Sequence, residues 1–268
     1  MIRGTVVSVR LIRAPWELLK RVFGWLVLYE AWNKVRLSWT AVGLRRFETR
    51  EVGRLGVSPP PRALVATVIA TYRRPESLRR AVAAALGQTV GDQVVVVVDD
   101  GAGLPDLPSD PRLYAVSLSR NVGVAGVVRN VGVRLSRSRY VAFLDDDNVW
   151  ERDHLERALA ALEAPSGGPD GVYTALRRVS ADGTELDVLS VPFSRRDSAH
   201  ASFLDTNAFV ARRTRALHFS RLRRTPSVLP REDWELIRRY SRRHTVRHLP
   251  VPTVRYLANP DSYYTTWL

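Results

Sequence analysis

The sequence predicts an α/β fold, a doubly wound and largely parallel sheet with a helical extension ahead of it. Strand and helix patterns alternate from residue 63 onward, and Gln93 to Val98 holds an unbroken valine run, as in a strand covered on both faces. Residues 1–57 instead carry a Trp-rich, basic helical pattern, and Ser58-Pro59-Pro60-Pro61 stiffens the chain between the two regions.

In the extension, Ala14 to Leu44 mixes tryptophans and aliphatics with Lys20, Arg21, Lys34 and Arg36. Leu19, Val22, Phe23, Leu26 and Tyr29 fall roughly on one helical stripe. Through residue 57 there are eleven basic and four acidic side chains, so half of the chain's net +14 sits in a fifth of its length. Such a helix suits the headgroup layer of an anionic membrane surface, and equally suits packing on the following domain or on a second subunit. Beyond the prolines, Ala63 to Ala70 reads as a strand. Pro75 to Leu86 reads as a helix opened by proline and followed by Gly87. Leu113 to Leu118 and Tyr140 to Leu144 read as further strands, with a helix at Val122 to Leu135 between them. Residues 63–163 thus form one half of the domain. Residues 164–268 form the other, beginning with a polar stretch from Ala164 to Ser198 and a strand-like Phe203 to Phe209.

Composition narrows the chemistry. The chain has 268 residues, 45% of them hydrophobic and 25% charged, which excludes a disordered or fibrous protein. No cysteine is present, so disulfides, thiol nucleophiles and thiolate metal sites are excluded. Of 41 basic residues only Lys20 and Lys34 are lysines, and the arginines form no run of five. That pattern reads as GC-rich coding bias rather than as a nucleic-acid footprint, and an anionic substrate or membrane surface is the better use of the charge. The longest N-terminal apolar run, Val22 to Tyr29, is too short to span a bilayer, and no cleavable signal is evident. The expected location is cytoplasmic, or peripheral on the inner face of the cell membrane.

In doubly wound sheets ligands bind beyond the carboxyl ends of the strands. There the sequence places Thr71-Tyr72-Arg73-Arg74, then Asp99-Asp100-Gly101, then Asp145-Asp146-Asp147. Three adjacent aspartates ending a buried strand repel one another unless something cationic offsets them. Hard oxygen ligands without Cys or a nearby His suit Mg²⁺ or Mn²⁺. Taken alone, the triplet is equally a solvated turn before the helix that begins near Glu151.

Five stretches occur in order over about 80 residues: Thr71 to Arg74, Val98-Asp99-Asp100-Gly101, Asn121-Val122-Gly123, Arg129-Asn130-Val131-Gly132 and Phe143-Leu144-Asp145-Asp146-Asp147. Together they resemble the family 2 glycosyltransferases of the GT-A fold, strongly over residues 63–163 and more loosely over 200–262. The resemblance implies a mixed sheet with a nucleotide-binding half and an acceptor half. It also implies an inverting transfer of a sugar from a nucleoside diphosphate, UDP in preference, to an acceptor hydroxyl; the Trp-rich basic helix points to a lipid-linked or membrane-assembled glycan as that acceptor. By position, Thr71, Tyr72, Arg73, Asp99 and Asp100 hold the base. Arg129, Asp145 and Asp146 contact the nucleotide, and Asp147 ligates the metal with Asp145 in support. The sequence departs from the family pattern at Arg73, where asparagine is usual, and at Ala102, where serine is usual.

The resemblance also implies a catalytic base in a Glu-Asp pair opening a later helix, which assigns Asp233 as base beside Glu232. Asn259, His248 or water completes the metal shell. Trp150 and Trp234 are candidate sugar-stacking faces or else core aromatics, and Asp205 and Asn207 are candidate hydroxyl binders. The competing readings are a transferase acting on a soluble natural product, a sugar nucleotidylyltransferase (disfavoured because residues 70–74 lack glycine), and a non-catalytic sugar-nucleotide-binding protein.

Overall fold

The computed structural model describes residues 16–225 and 228–258. Its elements are α1 (residues 16–23), α2 (Trp25–Leu55), β1 (Val65–Thr71), α3 (Pro75–Leu86), β2 (Gln93–Asp99), β3 (Leu113–Ser117) and α4 (Ala125–Leu135). There follow β4 (Tyr140–Asp145), β5 (Val149–Trp150), α5 (His154–Leu162), β6 (Gly171–Val179), β7 (Glu185–Leu189), β8 (Phe209–Arg212), α6 (Glu232–Tyr240) and β9 (Val246–Leu257).

The strands form one mixed sheet in the order β3-β2-β1-β4-β8-β6-β9-β5, with β7 paired to β6. Strands β3, β2, β1 and β4 are parallel neighbours. The valine run explains why. Val95 and Val97 face the core that includes Leu78 and Val82 of α3, while Val94, Val96 and Val98 face Val127 and Val131 of α4. Burial on both faces removes the usual alternation and requires a helix on each side. Gly132 lets α4 lie close, since a Cβ there would sit 2.6 Å from Val68 Cγ1. Gly132 therefore serves helix–sheet packing.

The second half departs from the expected pattern. The polar stretch after Ala164 contains two strands, β6 and β7, and β6 is the hub that pairs with β7, β8 and β9. Its end carries Arg177 and Arg178, and β7 is an exposed edge, so charge hides the strand pattern. The expected strand at Phe203 to Phe209 is instead a 3₁₀ turn at Thr206–Ala208, because Asp205 caps it by accepting from the Asn207 amide. The strand starts only at Phe209.

The N-terminal helix also differs. It breaks at Gly24, whose φ is +86°, and then runs on to Leu55. Its buried face is not the expected apolar stripe. Leu26 is buried, but Val22, Phe23 and Tyr29 are exposed, and Glu30, Asn33, Glu48 and Glu51 face inward. Glu48 accepts from Arg221 (2.6 and 2.7 Å), Arg134 (3.1 Å) and Asn130 (3.2 Å), and Arg224 grips Glu30 at 2.8 and 3.0 Å. Long-range ion pairs, absent from any local pattern, choose which side of α2 docks.

Candidate active site

The carboxyl ends of β1, β2 and β4 open onto a cavity of about 530 Å³ lined by Thr71, Tyr72, Arg74, Asp100, Arg129 and Asp145–Asp147, among others. Parallel pairing brings Thr71 level with Asp99 and Ala70 level with Asp145, so the three motifs meet at one edge.

The two aspartates after β2 have different surroundings. Asp99 Oδ2 accepts from the amides of Ala102 and Gly103 at 2.8 Å each and from Ser117 Oγ, which shapes the turn. Asp100 lines the cavity. It accepts from the Val122 and Gly123 amides at 2.8 Å, and burial pushes its carboxyl above the ordinary range. Tyr72 lines the cavity, and the exposed Arg73, outside the lining, has its guanidinium 5.1 Å from the Tyr72 ring. Arg73 has φ +55°, a left-handed conformation that asparagine tolerates and arginine rarely adopts.

The aspartate triplet divides its work. Asp146 is buried and accepts from Thr71 Oγ1 at 2.8 Å and Arg74 at 3.1 Å, tying the ends of β1 and β4 together. Asp145 has both oxygens engaged, by Arg129 at 2.5 Å and by Asn207 Nδ2 at 2.8 Å. Burial opposes its charge, but Arg129 holds its carboxyl below the ordinary range. Asp147 meets Arg74 alone, at 2.8 Å, and burial with its two like-charged neighbours pushes its carboxyl up. Asp147 thus has an oxygen without a hydrogen bond, whereas each Asp145 oxygen already accepts one, so a metal at Asp145 would share an oxygen with Arg129 or Asn207. Arg74, to which the motif reading gave no role, bridges Asp146 and Asp147; its place in the Thr71–Arg74 motif was the signal.

Arg129 joins the two halves of the sequence. Buried in α4, it lies 3.5 Å from Glu232 and 3.5 Å from Asp233 at the start of α6, as well as pairing with Asp145. These three acids together hold its guanidinium charge against burial. Asp233 Oδ1 is a buried oxygen without a hydrogen bond. Burial, offset only in part by Arg129, pushes the Asp233 carboxyl well above the ordinary range. A desolvated carboxylate with an unfilled lone pair is equipped to accept a proton.

Asp205 and Asn207 work behind the site. Asn207 Nδ2 donates to Asp145 and to Asp205, its Oδ1 accepts from the Asp145 amide at 2.6 Å, and burial raises Asp205 to about 6. Their polar atoms orient Asp145 rather than reaching into the cavity as hydroxyl binders. Both tryptophans are core residues. Trp150 donates its indole N–H to Asn207 O at 2.8 Å, Trp234 donates to Ser198 O at 2.6 Å, and neither offers an open face.

For a metal ion, no three Asp, Glu, His or Cys residues converge closely enough among the described residues. The donor chemistry still fits Mg²⁺ or Mn²⁺ if Asp147 supplies one oxygen and diphosphate oxygens and water supply the rest. His248 is not at the cluster; it sits on β9 against Tyr173, with Nε2 3.3 Å from Ser190 Oγ. Asn259 lies outside the described residues. The end of β9 does approach the triplet, because the Leu257 amide donates to Asn148 Oδ1.

Comparison with known proteins bears on the fold and the family. The chain is 34% identical over 151 residues to the succinoglycan biosynthesis protein ExoO of Rhizobium meliloti, covering 54% of this chain and 41% of that protein. It thus spans less than half of that relative's length. In fold it is similar to TarS of S. aureus, solved with UDP-GlcNAc (TM-score 0.55, 16% identity, 76% of this chain and 61% of that one). It is also similar to the mannosyltransferase PcManGT of Pyrobaculum calidifontis, solved with GDP-Man and Mn²⁺ (TM-score 0.52, 17% identity, 85% and 71%). The fold is therefore of GT-A type. The model of glycosyl transferase family 2 matches residues 67–219, more than half of the chain, and the chain belongs to that family.

Proposed function

We propose that this glycosyltransferase moves a sugar, with inversion, from a nucleoside diphosphate to a hydroxyl of a growing glycan, and that Asp233 is its base. The single observation that carries the reading is the meeting of Asp145, Glu232 and Asp233 around Arg129, beside a cavity of nucleotide size. The acceptor hydroxyl gives its proton to Asp233 as its oxygen bonds to the anomeric carbon. The bond from that carbon to the β-phosphate oxygen breaks, and the nucleoside diphosphate departs with the electron pair. A bound Mn²⁺ or Mg²⁺ at Asp147 would neutralise the charge that builds on the diphosphate.

Arg129 links donor and base. Its positive charge lowers the proton affinity of Asp233. When the donor's diphosphate neutralises part of that charge, Asp233 becomes a stronger base. Asp100, lining the cavity, is positioned to accept the N3 proton of uracil, which favours UDP as carrier. A nucleoside diphosphate sugar is supported by the UDP-GlcNAc complex of TarS and the GDP-Man complex of PcManGT, and a glycan acceptor is supported by the succinoglycan relative.

The test is sugar transfer from UDP-sugars with Mn²⁺, set beside UDP binding. Asp233→Asn should lower turnover by about 10²–10⁴-fold with UDP binding unchanged. Asp147→Asn should lower turnover and also weaken UDP binding when Mn²⁺ is present. Parent-like turnover by Asp233→Asn removes the base assignment. Donor binding without transfer or hydrolysis in the parent would leave a sugar-nucleotide-binding protein.

A further inference from the structure

Among the described residues, ten of the fifteen exposed large apolar side chains lie between Trp16 and Val42. They are arranged on one side. Successive residues of an α-helix turn by about 100°, which sets Trp32, Val35, Arg36, Trp39, Val42 and Arg46 on one face of α2. Leu26, Glu30, Leu44 and Glu48 lie on the opposite face, buried against the domain. Val35 is 72% exposed and Trp39 75% exposed. In water, uncovering such a stripe is unfavourable, and stripes of this size mark contact surfaces.

The distribution of charge identifies the partner. All three carboxylates of α2, Glu30, Glu48 and Glu51, point inward and are closed by Arg224, by Arg221 with Arg134, and by Arg54 with Ser119. The outward face of α2 carries aromatic, aliphatic, small and basic groups but no carboxylate, and α1 adds exposed Leu18, Val22 and Phe23 beside a Glu17–Lys20 pair. A two-fold dimer through this face would set Arg36 and Arg46 against their own copies with no acid between them. An anionic lipid surface instead accepts both the tryptophans, at headgroup depth, and the arginines.

We propose that the outward face of α1 and α2 docks the protein on an anionic lipid surface. No helix of the described residues is long and apolar enough to cross a membrane, so this contact is peripheral. The same helix braces the candidate site from its other side. Asn33 donates to Leu229 O at 2.7 Å, and Lys34 lies 3.2 Å from Glu235, two residues past Asp233. An open groove of about 670 Å³ runs between Trp25, Tyr29 and Trp32 of α2 and Arg223 and Leu229. Docking therefore holds the start of α6, where Glu232 and Asp233 sit, near the lipid surface, although the contact itself does not depend on the assigned reaction.

The experiment is flotation of the full chain with vesicles of phosphatidylcholine alone or mixed with phosphatidylglycerol, at low and at high salt. The parent should float with the mixed vesicles at low salt and be released by high salt. The double variant Val35→Glu, Trp39→Glu should partition at least about tenfold more weakly, while its UDP-induced rise in melting temperature stays at the parent value. Arg36→Gln with Arg46→Gln should lose the dependence on phosphatidylglycerol. Failure of the parent to float, equal flotation on phosphatidylcholine alone, or undiminished flotation of the Glu variant each overturns the proposal. So does a concentration-dependent dimer that the Glu variant abolishes. None of these outcomes bears on the reaction, which UDP binding and sugar transfer report separately.

Discussion

Two acidic clusters in this molecule receive arginines, and they are finished differently. Beneath α2, Glu48 is fully buried and accepts from Arg221, Arg134 and Asn130, so both of its oxygens are filled. At the sheet rim, Asp147 meets Arg74 alone and Asp233 Oδ1 has no hydrogen bond at all. The first cluster is saturated and holds a helix in place. The second keeps oxygens without hydrogen bonds, which costs stability and, in the proposed reaction, leaves acceptors for a proton and for a cation. The two clusters differ in saturation as well as in exposure: Glu48 is fully buried with both oxygens doubly engaged, whereas Asp147 and Asp233 are half-buried and only partly engaged.

The contrast is testable from either end. The largest effect belongs to the saturated cluster: Glu48→Ala takes the carboxylate from Arg221 and Arg134, while Asn130 keeps Phe219, and should lower stability by about 3–5 kcal/mol in chemical denaturation. A loss near zero would mean that α2 is not held by these pairs. Next comes the pH dependence of turnover. Protonated Asp233 cannot accept a proton, so activity should fall as pH drops through its raised pKa, placing the acid limb above the ordinary carboxylate range. Each unit of that displacement corresponds to about 1.4 kcal/mol. The sign for stability is the reverse. The charged form is the disfavoured one in the fold, so Asp233 opposes folding above its raised pKa and opposes it less as pH falls.

It follows that Asp233→Asn, which removes an unfilled buried charge while Arg129 keeps Asp145 and Glu232, should raise stability by about 0.5–2 kcal/mol. Thermal unfolding of the variant beside the parent measures it, and a lower melting point would show that the rim is as saturated as the cluster beneath α2. The smallest effect lies at Arg73. Relieving the left-handed backbone with Arg73→Asn should stabilise by about 1 kcal/mol, read as a small shift in the denaturant midpoint.

Legibility in the sequence followed the range of the forces involved. The helix at Pro75–Leu86 and the strand from Gln93 were readable because a proline at the helix start, a glycine after it and an unbroken valine run act within a few residues. The rim motifs were readable because each ends a strand of that parallel sheet. The strand β6 was missed because its terminal arginines break the apolar pattern. The sugar-facing roles considered for Trp150 and Trp234 had no local cue against them, and only packing shows both indoles spent on backbone carbonyls.

By itself the sequence determined the doubly wound half, the order of its acidic turns and the excess of positive charge at the N-terminus. Tertiary structure alone decided that Arg129 reaches from Asp145 to Asp233, that Asp147 keeps an open oxygen where Asp145 does not, and that α2 turns its carboxylates inward and its tryptophans out. The physical reason is distance along the chain. Periodicity and turn chemistry are written within a few residues, whereas an ion pair between groups more than a hundred residues apart exists only after the chain has closed around it.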